Sequence, residues 1–183
     1  MLGTSVLAIA ITFMMLASCA ALGGSAPESP AARQHREPPR RVEYVVGLTD
    51  ARTQTISVSL ILRAVPPGEL ELCLPVWRPG RYQILDMAGT VSGVFARSGD
   101  GEPRDIRKVE KATWMVSVAP GDDEIIVDYR VYANSIGDRT RHADDSHAFL
   151  SPASVFMYAP SMRQEPLVVR LIMPEGWRIA TGL

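Results

Sequence analysis

The stretch Thr55-Ile56-Ser57-Val58-Ser59-Leu60-Ile61-Leu62-Arg63 decides the fold class of this chain, because most of its large apolar side chains recur at every second position. A period of two is typical of a β-strand that buries one face and exposes the other. The run Leu70-Glu71-Leu72-Cys73-Leu74 repeats the pattern further along the chain. Each run is therefore predicted to line one face of a β-sheet.

Further strands are predicted where short apolar segments follow one another with turn signals between them. Gly, Pro and Asp cluster at 65–68, 98–101 and 120–123, and such clusters favour tight turns. No segment after residue 41 has the apolar periodicity of a three-turn helix. The pattern predicts an all-β fold, an antiparallel β-sandwich-like domain over 42–183. The remaining predicted strands are 91–97, 112–118, 124–132, 154–158 and 167–173.

The composition limits the classes of protein to consider. Of the 183 residues, 46% are apolar and 21% are charged, which is the balance of a globular domain, and the length suits one domain with an extension. The formal net charge is -1, whereas a nucleic-acid-binding face requires clustered cationic side chains. We therefore predict no nucleic-acid partner.

Residues 1–18 are predicted to be a lipoprotein signal peptide. Residues 2–22 carry no charge, and Leu16-Ala17-Ser18-Cys19 resembles the bacterial lipobox, in which the cysteine is acylated and becomes the new amino terminus. Acylation of Cys19 would anchor the chain firmly, because each buried methylene contributes about 0.8 kcal/mol. The alternative is an uncleaved transmembrane helix, since about 20 apolar residues span a bilayer. The positive charge that normally precedes an export segment is missing in both cases.

The lipobox implies an exported, lipid-anchored protein of the bacterial cell envelope. Ala20 follows the cysteine where Asp would retain the protein, which by resemblance to Gram-negative sorting signals predicts the periplasmic face of the outer membrane. Residues 19–41 are rich in Pro and Arg and are predicted to be a disordered tether, because the prolines prevent a helix or a paired strand. Once Cys19 is acylated, Cys73 lacks a disulfide partner and is predicted to be a buried or half-buried apolar group.

Five short runs form an ordered set along the chain: Leu74-Pro75-Val76-Trp77-Arg78-Pro79-Gly80-Arg81-Tyr82 with Asp86, Lys111-Ala112-Thr113-Trp114, Val127-Asp128-Tyr129-Arg130-Val131-Tyr132-Ala133, His147-Ala148-Phe149-Leu150 with Ser154-Val155-Phe156-Met157-Tyr158, and Pro174-Glu175-Gly176-Trp177. On these runs, residues 42–183 resemble the amino-terminal domain of the glycyl aminopeptidase family. Members of that family are PDZ-containing zinc peptidases of the thermolysin-like gluzincin group. Two departures, Arg81 and Ser151-Pro152, concern the shapes of local loops.

The resemblance implies a non-catalytic amino-terminal domain of a membrane-tethered zinc metallo-aminopeptidase. Such a domain packs on the thermolysin-like catalytic domain of a protein that also carries a PDZ domain, and it shapes one wall of the substrate cleft. The apolar ending at 179–183 favours a fragment of a longer protein. The alternative is a stand-alone envelope lipoprotein whose sandwich binds a peptide, a glycan or a protein partner.

The zinc-binding sequence of such a peptidase, H-E-x-x-H on a helix, does not occur in these 183 residues. We therefore predict no catalytic residue, no metal ligand and no cofactor in this chain, and we expect zinc in the catalytic domain. His142 and His147 are the two histidines of a polar segment that also holds two aspartates. Their spacing places them on different faces of a helix or a strand, which favours a polar loop over a metal site.

Three acidic residues are candidates for contact with the free amine of a peptide substrate, because a cationic amine is best held by fixed carboxylates. The alternative for each is a solvated or turn-capping acid, since Asp is common in turns. The candidates are Asp86, Asp144 and Asp145. Three aromatic residues beside predicted strands are instead expected to anchor the core, namely Trp77, Tyr82 and Trp114.

Overall fold

The computed structural model describes residues 41–77, 83–136 and 141–182. The predicted signal peptide and nearly all of the predicted tether, including Cys19, lie outside the described residues, as do Arg81 and Tyr82. Among the described residues, no helix is both long enough and apolar enough to cross a bilayer.

Strands dominate the described residues, and their bounds follow the period-two pattern closely. One short α-helix, α1 (Pro152–Val155), and three single 3-10 turns (Ala51–Thr53, Ala88–Thr90 and Pro160–Met162) connect them. The strands are β1 (Val42–Gly47), β2 (Thr55–Arg63), β3 (Gly68–Cys73), β4 (Val91–Ser98), β5 (Pro103–Arg104), β6 (Ile106–Glu110), β7 (Thr113–Val118), β8 (Glu124–Tyr132), β9 (Asn134–Ser135), β10 (Arg141–Ala143), β11 (Ala148–Leu150) and β12 (Leu167–Ile172).

The described strands form three sheets. A six-stranded sheet has the order β12-β1-β2-β8-β4-β5, a second sheet has the order β3-β7-β6, and a small third sheet has the order β11-β10-β9. Neighbouring strands are antiparallel except β1 and β12, which are parallel. The prediction of an all-β, sandwich-like domain is confirmed, and the parallel pair makes the large sheet mixed.

One apolar core lies between the six-stranded sheet and the β3-β7-β6 sheet. Leu72, Trp114 and Val116 of the smaller sheet belong to the same buried cluster as the large sheet's apolar side chains. Full burial of a side chain of this size contributes about 1.5–3 kcal/mol. The alternation that predicted β2 is realised, because its four inward side chains are fully buried: Ile56, Val58, Leu60 and Leu62.

Glu43 places a buried carboxylate on β1, between the strands on either side of it. Its Oε2 lies 3.2 Å from Arg63 Nη1 on β2, and its Oε1 lies 2.9 Å from Arg170 Nε on β12. Because a slip of one residue moves every side chain of a strand to the opposite face, the two ion pairs support a single register across all three strands.

Two buried tyrosines of the large sheet hold the segment that contains α1. Tyr44 Oη donates a hydrogen bond to the carbonyl of Met157 at 2.7 Å. Tyr129 Oη donates to the carbonyl of Val155 at 3.0 Å and accepts from the backbone N–H of Met157 at 3.1 Å. The Phe156 ring packs beside Tyr44, with ring centroids 4.6 Å apart. The two tyrosine hydroxyls therefore form hydrogen bonds with backbone groups of Val155 and Met157. These groups lie in a segment that pairs with a strand only at Tyr158.

The prediction of a strand over 154–158 is wrong. Residues Pro152–Val155 form α1, and Tyr158 joins a strand only as an isolated bridge to Cys73. Pro152 follows an extended Ser151 and supplies the backbone angle that suits the first position of a helix. This turn of helix places Val155 and Met157 under the two tyrosine hydroxyls.

The aromatic predictions have different outcomes. Trp114 is buried in the core, as predicted, whereas Trp77 is 51% exposed, so its prediction as a core anchor is wrong. Trp77 lies beyond the end of β3, where the chain leaves the sheet.

Cys73 is half-buried, as predicted. Burial is the main cause that raises the pKa of its thiol.

Candidate functional site

The polar segment that contains two histidines and two aspartates is the turn of a β-hairpin. β10 and β11 pair antiparallel, with Arg141 opposite Leu150 and Ala143 opposite Ala148. The chain reverses between these strands, where the backbone N–H of Asp144 donates to the carbonyl of His147 at 3.0 Å. Residues 144–147 are therefore a polar connection between strands, as the sequence predicts, whereas His142 lies within β10.

The reversal of the chain brings His142 and His147 together. Their ring centroids lie 5.3 Å apart and the ring planes are inclined by 45°. The separation of the two histidines that a continuous helix or strand would impose does not apply here, because the chain turns between them, as the preferred interpretation of a polar loop allows. The His142 side chain is buried at 8% exposure, whereas the His147 side chain is 62% exposed.

Asp144 lies between the two imidazoles. Its Oδ2 is 2.9 Å from His142 Nε2, and its Oδ1 is 3.4 Å from His147 Nδ1. Oδ1 also accepts hydrogen bonds from the backbone N–H groups of Ser146 and His147 and from Ser146 Oγ, at 2.8, 2.9 and 2.7 Å. The hydrogen bond with His142, followed by those from Ser146 and His147, holds the pKa of Asp144 well below its ordinary value. The carboxylate is therefore ionised and fixed within the turn.

Asp145 differs from its neighbour because its side chain is exposed and forms no hydrogen bond or ion pair with the described residues. Its charge is therefore free to meet a partner. Asp86, in contrast, pairs with Lys111 Nζ at 3.1 Å and accepts a hydrogen bond from the backbone N–H of Gly89 at 3.1 Å. The hydrogen bond with Lys111 is the main cause that lowers the pKa of Asp86.

Arg141 ties the hairpin to the segment that follows Asp86. Its guanidinium is buried, with Nη1 2.8 Å from Met87 Sδ, Nη2 2.5 Å from Thr90 Oγ1 and Nε 3.3 Å from the carbonyl of Tyr132. Among residues 41–77, 83–136 and 141–182 it has no carboxylate partner, and burial lowers the pKa of Arg141. The structure thus brings the element that carries Asp86 to the element that carries Asp144 and Asp145.

Large apolar side chains remain exposed on either side of the undescribed segment 78–82 and near the hairpin. Aromatic and branched apolar groups at a protein surface are typical of interaction sites when they occur together. Ile84 is 78% exposed and Phe149, on β11, is 43% exposed. The full set with these two is Val76, Trp77, Ile84, Tyr132, Ile136 and Phe149.

The family comparison accounts for the domain as a whole. The family model of the Peptidase M61 N-terminal domain matches residues 43–183. The chain belongs to this family. The M61 N-terminal domain therefore covers everything that follows the predicted tether except Val42, and the predicted resemblance to glycyl aminopeptidases is confirmed.

A solved structure supports the same assignment. The M61 domain is similar to an aminopeptidase N family protein from Idiomarina loihiensis, with a TM-score of 0.67 and 25% sequence identity over 73% of this chain. The chain spans only 22% of that protein. A GH20 exo β-N-acetylglucosaminidase from Vibrio harveyi also matches, at 11% identity over 76% of this chain and 19% of that one. Its TM-score of 0.28 is too low to indicate a shared fold. None of the curated protein sequences matches the chain.

The described chain is thus a Peptidase M61 N-terminal domain. Sequence reasoning named Asp144 and Asp145 of the β10–β11 hairpin as candidates but missed Arg141 as the residue that anchors the hairpin. No sequence signal marks Arg141, because a single arginine in a polar stretch is ordinarily a solvated side chain. Its importance arises only from the packing of β10 against Met87 and Thr90.

Proposed function

We propose that this M61 domain is the non-catalytic amino-terminal domain of a membrane-tethered zinc metallo-aminopeptidase. In this proposal it packs on a thermolysin-like catalytic domain and shapes one wall of the substrate cleft, and the complete protein also carries a PDZ domain. Zinc is bound by the catalytic domain. The protein is exported to the bacterial cell envelope and is held at the periplasmic face of the outer membrane by acylated Cys19.

The family match over 43–183 carries the proposal. It is supported by the similar aminopeptidase N family protein, of which this chain spans 22% and in which the remaining length is available for further domains. An amino-terminal domain of a peptidase works beside a catalytic domain of the same protein, so a docking face is expected on its surface. Trp77 and Ile84, which are exposed beyond β3, are suitable contacts for such a face, because aromatic and large apolar groups are enriched at interfaces.

The hairpin supplies the proposed contact with substrate. Asp145 has an exposed carboxylate without a partner among the described residues, whereas Asp86 and Asp144 are held by local hydrogen bonds. A free carboxylate is the group that pairs with a peptide amine through charge-assisted hydrogen bonds. Asp145 is therefore the preferred amine contact, with Asp86 and Asp144 as the other candidates.

The DNA that follows the codon of Leu183 tests the proposal directly. We expect translation of the forward frames to continue into a helix-forming segment with H-E-x-x-H and a further Glu, which are the ligands and the general base of a zinc peptidase. An in-frame stop without that sequence nearby would contradict the proposal. It would leave a stand-alone envelope lipoprotein that binds a peptide, glycan or protein partner.

We predict that Cys19→Ser removes the protein from the membrane fraction. Acylation at Cys19 is the only anchor in this proposal, and acyl chains account for the binding because each buried methylene contributes about 0.8 kcal/mol. The measurement is incorporation of labelled fatty acid into the full-length chain, together with its distribution between membrane and soluble fractions. We expect complete loss of the label and a shift of most of the protein to the soluble fraction.

Cys73→Ser is the matched control for lipidation, since it removes the other cysteine of the chain. It should keep both the label and the membrane association. If Cys19→Ser remained in the membrane without label, the uncleaved transmembrane helix would replace the lipid anchor.

A further inference from the structure

The hairpin turn gathers three potential metal ligands from a span of six residues. His142, Asp144 and His147 each offer one ligand atom, and these atoms all lie within 4.8 Å of one another. Ligands of a tetrahedral ion at about 2.0–2.2 Å lie roughly 3.3–3.6 Å apart. The three donors are therefore already close to the spacing of a shared coordination sphere.

The second shell of this cluster is also present. The Asp144 carboxylate is oriented by Ser146, through its backbone N–H at 2.8 Å and its Oγ at 2.7 Å. Outer hydrogen bonds of this kind orient metal ligands in proteins.

His142 provides a further observation that points to a ligand. Its ring is buried, and its Nε2, which faces Asp144 at 2.9 Å, is directed into the cluster. A buried imidazole is held in one orientation by packing, so Nε2 is presented to the cluster at little entropic cost. The exposed side of the cluster, at His147, is open to solvent and leaves an entry path for an ion.

We propose that His142, Asp144 and His147 bind a divalent transition-metal ion of the zinc class. Two imidazoles and one carboxylate suit zinc, nickel, copper or iron, whereas calcium and magnesium prefer a shell of oxygen atoms. Three protein ligands leave at least one position for water or for a group from another molecule. The ion would replace the hydrogen bond between His142 and Asp144 and would join β10 to the start of β11.

His142 also limits the affinity of the site. When Nε2 binds an ion, Nδ1 carries the proton, and no described residue accepts a hydrogen bond from it. An unsatisfied buried donor is costly. We therefore expect weaker binding than at closed structural zinc sites, and an ion that chelators remove readily.

The test uses the full 183-residue chain in a non-denaturing detergent, stripped with EDTA and titrated with zinc chloride. At zinc concentrations about 100 times the dissociation constant, we expect Tm to rise by about 5–10 °C with a stoichiometry of one ion per chain. Cobalt(II) should produce the visible absorption of a tetrahedral complex. Magnesium and calcium should leave Tm unchanged.

His147→Ala is the decisive variant, because its exposed imidazole can be removed while the backbone N–H that bonds to Asp144 remains. We expect at least about 100-fold weaker zinc binding, above the range for loss of a second-shell group. Asp123→Asn is the matched control, since it changes an exposed carboxylate on a different turn and should bind zinc as the unmodified chain does. Equal affinity in His147→Ala and the unmodified chain, or no binding at all by the unmodified chain, would overturn the proposal.

Discussion

Replacement of Tyr129 by alanine is expected to cost at least about 4 kcal/mol of the free energy of unfolding. Tyr129 is 2% exposed and is among the largest fully buried side chains of the described residues. Loss of a buried aromatic side chain typically costs about 3–5 kcal/mol. The substitution also leaves the carbonyl of Val155 and the N–H of Met157 without their partner, at about 1–3 kcal/mol for an unsatisfied buried group.

Urea denaturation followed by circular dichroism measures this effect. Tyr129→Phe keeps the ring and loses the hydroxyl, so its cost should be only about 1–3 kcal/mol. Tyr132→Ala is the matched control on the same strand, because Tyr132 is half-exposed and its hydroxyl bonds only to exposed side chains, and its cost should be about 1 kcal/mol. Similar costs for Tyr129→Ala and Tyr132→Ala would show that Tyr129 does not hold the α1 segment in the way described.

Stability is expected to fall steeply between pH 10 and pH 12. Burial raises the pKa of Tyr44 to about 12 and raises the pKa of Tyr129 as well. A tyrosine of the unfolded chain loses its proton near pH 10, whereas Tyr44 keeps its proton in the fold up to about pH 12. Its contribution is therefore fully present below pH 10 and is lost as the pH rises through 12. The rise in the pKa of Tyr44 from 10 to about 12 corresponds to about 3 kcal/mol of the free energy of unfolding.

Urea melts at intervals from pH 8 to pH 12, with tyrosinate absorbance recorded in parallel, test this prediction. Tyr44→Phe should be less stable than the unmodified chain at pH 8, because the carbonyl of Met157 loses its donor. The stability of Tyr44→Phe should fall less between pH 10 and 12 than that of the unmodified chain. The difference between the two plots of unfolding free energy against pH gives the contribution of Tyr44. Simultaneous ionisation of all tyrosines near pH 10 in the folded chain would contradict the prediction.

The sequence predicted strands well where alternate apolar side chains of a strand are buried on one face of the sheet. The bounds of β8 agree with the predicted 124–132, and β2 buries the alternate side chains that the period-two pattern selected. Such strands are specified locally, because burial of one face requires only a period of two. The same reasoning failed at 154–158, where apolar side chains are buried in a short helix and its continuation. Burial of this segment depends on hydrogen bonds from Tyr44 and Tyr129, which are distant in the sequence. The local pattern of apolar residues cannot predict such contacts.

The candidate site was predicted in composition but not in geometry. Residues 144–147 were correctly predicted to connect strands, but His142 lies within β10, and its contact with His147 depends on a chain reversal at Asp144. The spacing of two residues along a chain does not give their distance in space once a turn intervenes. Arg141 shows the same limit, since its partners Met87 and Thr90 lie more than fifty residues earlier in the sequence.

The parallel pairing of β1 with β12 has a consequence for synthesis on the ribosome. Val42 pairs with Leu167, so β1 emerges well before its edge partner, by about 6–25 s at ordinary elongation rates of about 5–20 residues per second. During that interval the open side of β1 is a template for pairing with other nascent chains. Glu43, whose second arginine partner arrives only with β12, keeps a charge on that strand in the meantime. We therefore expect the carboxylate that later joins three strands to disfavour edge-to-edge pairing of the unfinished domain.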